Sequence, residues 1–175
     1  MWELFIGTML VVSFLFWIWW QSHTTSQGAP YVGMEPDVVE RIMKMTQITT
    51  KDVFYDLGSG DGRVVISAGL HGAISIGVEL DKLRVLYSKI WVTLLGLNKR
   101  VTIHHNNFYN VPLSGATIVC TYLLPSTQAK LKHKLLTELK PGTKLIAVGF
   151  RYEGLKEIER DPRGGKYGPI FLYKI

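Results

Sequence analysis

Asp56-Leu57-Gly58-Ser59-Gly60-Asp61-Gly62-Arg63 is the stretch on which the reading of this chain turns. It follows a short apolar run, Val53-Phe54-Tyr55, and precedes Val64-Val65-Ile66-Ser67-Ala68-Gly69-Leu70, whose apolar positions suit a helix. A strand that breaks into a glycine-rich turn and restarts as a helix is a site for small polar ligands. Glycines let the backbone approach the ligand, and the free N–H groups at the helix start attract negative charge. Glycine recurs at every second position, Gly58, Gly60 and Gly62, giving G-x-G-x-G where dinucleotide sites carry G-x-G-x-x-G. The acid ahead of the first glycine, Asp56, accepts from an ammonium group better than it tolerates a pyrophosphate.

Outward from this turn, helices and strands alternate. A helix is expected over 35–46, with Pro36 at its start and Val38, Val39, Ile42, Met43 and Met45 on roughly one face. Strands are expected at 53–57, 73–80, 101–105, 117–121 and 144–150, and helices at 62–71, from 82 to about 97, and at 126–139. Asp81 is placed to cap the second of these helices, and Lys140-Pro141-Gly142 terminates the third. Two short strands at 156–159 and 170–175, about a Pro/Gly loop at 161–165, suggest an antiparallel hairpin at a sheet edge. The alternation predicts an α/β fold: a doubly wound, mostly parallel seven-stranded sheet with helices on both faces.

Ligands of such sheets lie beyond the C-terminal strand ends, near the point where the strand order reverses. The second strand ends at Glu79, whose carboxylate can accept from both hydroxyls of a ribose. The third ends at Asn106-Asn107-Phe108, offering amides to an adenine edge and a ring to pack on it. An Asx turn is the competing reading of Asn106. The fourth ends at Thr121-Tyr122-Leu123-Leu124-Pro125.

Composition narrows the rest. A chain of 175 residues has the size of one domain with a real core. The single cysteine, Cys120, excludes a disulfide framework and lies in an apolar run, as a buried inert thiol would. The five histidines have no ligand spacing, and the adjacent His104 and His105 point to opposite faces of a strand, so no metal site is expected. All 20 Lys and Arg lie after residue 20, facing 13 acids there, a surplus that suits acidic partners or an anionic surface. It equally describes a soluble basic face, since no dense basic cluster stands out.

The run from Leu4 to Trp20 (LFIGTMLVVSFLFWIWW) has 17 residues and no charge. At about 1.5 Å per residue it reaches roughly 25 Å, the short end of a bilayer span. Trp17, Trp19 and Trp20 stand where an interfacial belt would, and neither the basic start nor the small-residue site of a cleaved signal peptide is present. A retained single-pass transmembrane helix over 1–20 is therefore expected, then a polar tether over 21–30 and a domain over 31–175. The Lys and Arg beyond the run predict a domain on the cytoplasmic side of a membrane.

Taken together these motifs resemble a class I, seven-β-strand S-adenosylmethionine-dependent methyltransferase. Asp56-Leu57-Gly58-Ser59-Gly60-Asp61-Gly62-Arg63 matches the first motif of that family and Gly77-Val78-Glu79-Leu80-Asp81 the second. Within it, the chain is similar to the small archaeal and mitochondrial protein-lysine methyltransferases, through Pro30-Tyr31-Val32, Tyr122-Leu123-Leu124-Pro125 and Leu139-Lys140-Pro141-Gly142-Thr143. It departs at Gly33-Met34, where the family commonly has Pro-Thr, and at Asn107, where many class I enzymes have Asp. The resemblance implies a Rossmann-like methyltransferase fold with S-adenosylmethionine as cofactor, held by Asp56, Gly58, Ser59, Gly60, Gly62, Glu79, Asn106, Asn107 and Phe108. It implies a protein lysine as acceptor.

Transfer from a sulfonium needs alignment and an unprotonated nucleophile more than covalent help. A desolvating aromatic channel favours the neutral amine. Tyr122 and Tyr31 are candidates to line that channel, and Thr121 to offer an acceptor. Two other readings stay open: a methyltransferase for a small or lipid-soluble molecule, and a non-catalytic cofactor-binding or scaffold protein. No basic-aromatic nucleic-acid motif is present, so no nucleic-acid partner is expected.

Overall fold

The computed structural model describes residues 2–22, 31–163 and 167–175. The chain divides into two compact units, Met1–Val32 and Gly33–Ile175. In its described residues the first forms α1 (Trp2–Ser22), with Phe5, Met9, Leu10, Phe14 and Leu15 exposed. Among the described residues, however, no helix is long and apolar enough to cross a membrane, which overturns the expected transmembrane helix, the membrane partner and the placement on a membrane's cytoplasmic side. A span needs about 20 mostly apolar residues across roughly 30 Å of hydrocarbon. Gln21 and Ser22, expected in the tether, continue α1, and the remaining tether residues, 23–30, lie outside the described ones.

The second unit is built on a seven-stranded mixed sheet, with β1 (Val53–Leu57), β2 (Ile74–Glu79), β3 (Val101–His105), β4 (Ile118–Thr121), β5 (Lys144–Val148), β6 (Glu157–Asp161) and β7 (Ile170–Lys174). Their order is β3-β2-β1-β4-β5-β7-β6. The first five are parallel, and β7 enters antiparallel between β5 and β6. The order reverses between β1 and β4, which puts the C-terminal ends of these two strands at the binding crevice of a doubly wound sheet. Register sets Asp56 beside Gly77 on one side and Cys120 on the other.

The helices are α2 (Pro36–Thr46), α3 (Arg63–Leu70), α4 (Lys82–Leu94) and α5 (Pro125–Glu138). Proline occupies the first turn of both α2 and α5, where its missing N–H costs no helical bond. Strand residues alternate between two cores. Phe54, Ile118, Cys120 and Ile146 pack with Val38, Val39, Ile42 and Met43 of α2, while Leu57, Val119 and Leu145 pack with Leu131 and Leu135 of α5. Each fully buried aliphatic side chain is worth about 1.5–3 kcal/mol relative to exposure.

Element ends shift from the periodic pattern where glycine takes a positive φ. α4 stops at Leu94 because Gly96 turns left-handed (φ 68°) and donates back to the Thr93 carbonyl. β5 stops at Val148, where Gly149 takes a positive φ (82°) and donates its N–H to the Pro169 carbonyl.

Candidate active site

The glycine turn leaves β1 at Leu57 with Gly58, Gly60 and Gly62 all at positive φ (88°, 56° and 85°), a conformation costly for any residue with a Cβ. Gly58 and Ser59 both donate their N–H to the Val78 carbonyl, at 2.8 and 3.0 Å, which ties the turn to β2. Gly62 is the N-cap of α3 and offers no side-chain cap, and the first helical N–H, that of Arg63, donates instead to Asp61 Oδ1 at 3.3 Å. A Cβ on Gly62 would lie 2.9 Å from Ser88 Cβ. The Ser59 hydroxyl is buried and has no hydrogen-bond partner among the described residues.

Carboxylates surround this turn. Glu79 accepts three backbone N–H groups: Gly60 on Oε2 at 2.8 Å, and Leu80 and Asp81 on Oε1 at 2.8 and 2.9 Å. It thus braces the turn from β2, and Oε2, with a single bond, keeps a lone pair for a ligand hydroxyl. Asp81 caps α4 by accepting from Leu83 and Arg84. Asp56 is buried, and burial together with the charges of Glu79 and Asp61 pushes its carboxyl up to about 8. A buried acid with acidic neighbours lacks a cation. A ligand carrying an ammonium and a sulfonium supplies one, so the residues present fit S-adenosylmethionine.

The third strand end is spent partly on local structure. Asn106 Oδ1 accepts the Asn107 N–H at 2.8 Å, and Asn107 Oδ1 accepts the Tyr109 N–H at 3.0 Å, capping a 3₁₀ turn (Phe108–Asn110). Their amide N–H₂ groups remain for a purine edge. Phe108 is half-buried, its ring centroid 4.7 Å from that of Tyr109.

Around the end of β4 the predicted residues separate. Tyr122 is half-buried and packs with the α2-side core. Thr121 points to the other face and is fully buried, its hydroxyl donating to the Ile146 carbonyl at 3.2 Å and accepting from Tyr152 at 3.3 Å. That geometry gives Thr121 a structural bond inside the sheet rather than an open acceptor position. Leu123 touches the glycine turn, its Cδ2 3.4 Å from where a Gly58 Cβ would stand. Tyr31, half-buried, belongs to the Met1–Val32 unit rather than to the unit that carries these strands. Cys120 is a buried thiol, pushed well up by burial and by Asp56.

Three residues of the site were not singled out from sequence. Ser88 is buried on α4 and donates to the Gly60 carbonyl at 3.3 Å; a serine in step with the buried Val85 and Val92 is a signal that could have found it. Arg63 pairs with Asp61 at the turn and donates to the Met34 carbonyl. Tyr167 packs edge-on to Tyr122.

The ANTKMT methyltransferase domain model matches residues 56–159, from the glycine turn into β6. A protein-lysine N-methyltransferase of Saccharolobus islandicus is 34% identical over 150 residues, which cover 83% of this chain and 93% of that protein. An adenine nucleotide translocase lysine N-methyltransferase of Mus musculus is 32% identical over 69% of this chain; the match spans 53% of the mouse protein, about half of its length. A crystal structure of an RNA methyltransferase from Salinibacter ruber in complex with S-adenosyl-L-homocysteine superposes with a TM-score of 0.79 at 32% identity, covering 82% of this chain and 94% of that one. With the glycine turn, its ring of acids and the strand order all in agreement, the chain belongs to the ANTKMT methyltransferase family of S-adenosylmethionine-dependent enzymes.

Proposed function

We propose that the chain methylates the side-chain amine of lysine in a protein. The observation that carries this is the 34% identity to a protein-lysine N-methyltransferase along 93% of that protein, with Tyr122 at the end of the strand beside the glycine turn. When bound, S-adenosylmethionine supplies a methyl group on a positively charged sulfur. The lysine nitrogen forms the new N–C bond with its lone pair as the C–S bond breaks. The electrons stay on sulfur, and the amine's proton passes to solvent.

The chain's own part is binding, orientation and dehydration. Asp56, ionised, accepts from the ammonium of the cofactor, Glu79 Oε2 accepts from the ribose, and Asn106, Asn107 and Phe108 hold the adenine. Gly58, Gly60 and Gly62 let the backbone approach, with Ser59 among them. Tyr122 walls the acceptor channel with aromatic surface. That surface disfavours the charged ammonium and so favours the nucleophilic amine.

The test supplies methyl-labelled S-adenosylmethionine and a host cell extract to the purified chain and to Asp56→Ala. Label recovered from protein as methyl-lysine after acid hydrolysis, and lost with Asp56→Ala, is the expected result. Label in the RNA fraction, the class that the Salinibacter protein is named for, or in organic solvent, contradicts the reading.

A further inference from the structure

The wall formed by Tyr122 is itself held by a residue outside the motifs. Tyr167 precedes β7, is buried, and sets its ring 6.3 Å from that of Tyr122 at an interplanar angle of 73°. Edge-to-face pairs of this kind fix both rings. Its hydroxyl donates to the Gly33 carbonyl at 3.0 Å. The next carbonyl, that of Met34, accepts from Arg63 of the glycine turn. The short strap at Gly33 and Met34 is therefore pinned from two sides, once by the ring pair and once by the cofactor loop.

The backbone is shaped to allow this contact. A Cβ on Gly149 would stand 2.8 Å from the Tyr167 carbonyl oxygen and 3.2 Å from Tyr122 Cε2. A Cβ on Gly168 would stand 2.9 Å from Gly149 Cα. Gly149 and Gly168 both have positive φ (82° and 74°), and the Gly149 N–H donates to the Pro169 carbonyl at 2.8 Å. Two glycines thus bring the end of β5 and the approach to β7 into direct backbone contact, with the Tyr122 ring packed against Gly149. A phenylalanine at 167 would keep the ring pair with Tyr122. The hydroxyl is spent on the strap.

From this geometry we infer that Tyr167 is a positioning residue for the acceptor lysine: it holds the Tyr122 ring edge-on and ties the Gly33–Met34 strap to the acceptor side of the site. The inference rests on the lysine-methyltransferase reading above. It assigns Tyr167 no contact with cofactor, so its removal changes how the acceptor is met and leaves cofactor binding intact.

The experiment measures initial methylation rates against increasing host protein extract for the full chain, Tyr167→Phe and Tyr167→Leu, with S-adenosylmethionine affinity measured separately by calorimetry. Tyr167→Phe loses one buried hydrogen bond and is expected to raise the half-saturating extract concentration about five- to tenfold. Tyr167→Leu also removes the edge-on partner of the Tyr122 ring and is expected to slow methylation at saturation by roughly a hundredfold. Cofactor affinity is expected to stay within twofold in both. Should Tyr167→Leu not fold, Tyr167→Phe decides alone. Unchanged half-saturation in Tyr167→Phe, or a loss confined to cofactor affinity, overturns the inference while a methylating wild type keeps the lysine reading standing. A wild type that produces no methyl-lysine overturns that reading and the inference with it.

Discussion

Asp56 carries the largest electrostatic strain in the site. Its carboxyl is buried, has Glu79 and Asp61 as charged neighbours, and is pushed up from the usual carboxylate range to about 8. A native pKa raised above the unfolded one means that the folded chain holds a proton the unfolded chain has lost. The penalty is absent below about pH 4, grows as pH rises towards 8, and is constant above that. Asp56→Asn removes the titration without removing the shape. It is expected to raise the melting temperature of the ligand-free protein by several degrees at pH 7.5, with no gain at pH 4, and to weaken S-adenosylmethionine binding by more than tenfold. Thermal unfolding at the two pH values, with calorimetry at the higher, checks both halves. Glu79 accepts three backbone N–H groups. Glu79→Ala leaves these donors without their partner and is expected to cost about 1–3 kcal/mol in denaturant unfolding, with loss of cofactor binding.

The glycine turn shapes the crevice from β1, and the approach to β7 brings Tyr167 against Tyr122. A side chain on Gly62 meets both a left-handed φ of 85° and Ser88 at 2.9 Å. Gly62→Ala is therefore expected to destabilise by about 1–3 kcal/mol and to weaken cofactor binding, whereas alanine at the exposed Gly115, with nothing within 4 Å, is expected to be nearly silent. The β6–β7 hairpin is anchored by Asp161, which receives Arg163 and also Arg41 of α2, at 2.9 and 3.1 Å. The hydrogen bonds from Arg163, and then Arg41, hold its carboxyl well below the usual range despite burial. The stability it contributes is present above about pH 4 and is lost as pH falls. Asp161→Asn is expected to cost roughly 2 kcal/mol at pH 7 and to flatten the acid limb of the stability profile, read by urea unfolding between pH 3 and 7. At this scale the sequence was legible where local chemistry decides: G-x-G-x-G turned at its positive-φ glycines, Asp81 capped α4, and Lys140-Pro141-Gly142 followed the end of α5. Contacts between distant segments, such as Tyr167 with Gly33, leave no local pattern.

In the whole molecule, strand order does the work that no single motif can. Placing β4 against β1 sets Tyr122 and Leu123 beside the glycine turn, while β2 and β3 bring Glu79 and Asn106 to the other side. The alternation of periods made this sheet readable, including its antiparallel hairpin, although the insertion of β7 between β5 and β6 is a tertiary choice. Thr121 shows the limit: its position next to Tyr122 suggested an acceptor, but alternation along β4 turns it to the opposite face, onto Tyr152. The apolar N-terminal run misled in a different way: its uncharged length, its terminal tryptophans and the lack of a signal-peptide pattern pointed to a membrane span, whereas no described helix is long and apolar enough to be one. What unites the second unit is a crevice that is acidic before its cofactor arrives and is neutralised by it. The most direct measurement is isothermal titration of the full chain with S-adenosylmethionine at pH 7.5, in two buffers of different ionisation heat. One-to-one binding is expected, with an apparent enthalpy that differs between the buffers because Asp56 releases its proton as the ammonium binds, a difference that vanishes in Asp56→Asn. Absence of binding, or a heat identical in both buffers and unaffected by Asp56→Asn, would contradict it.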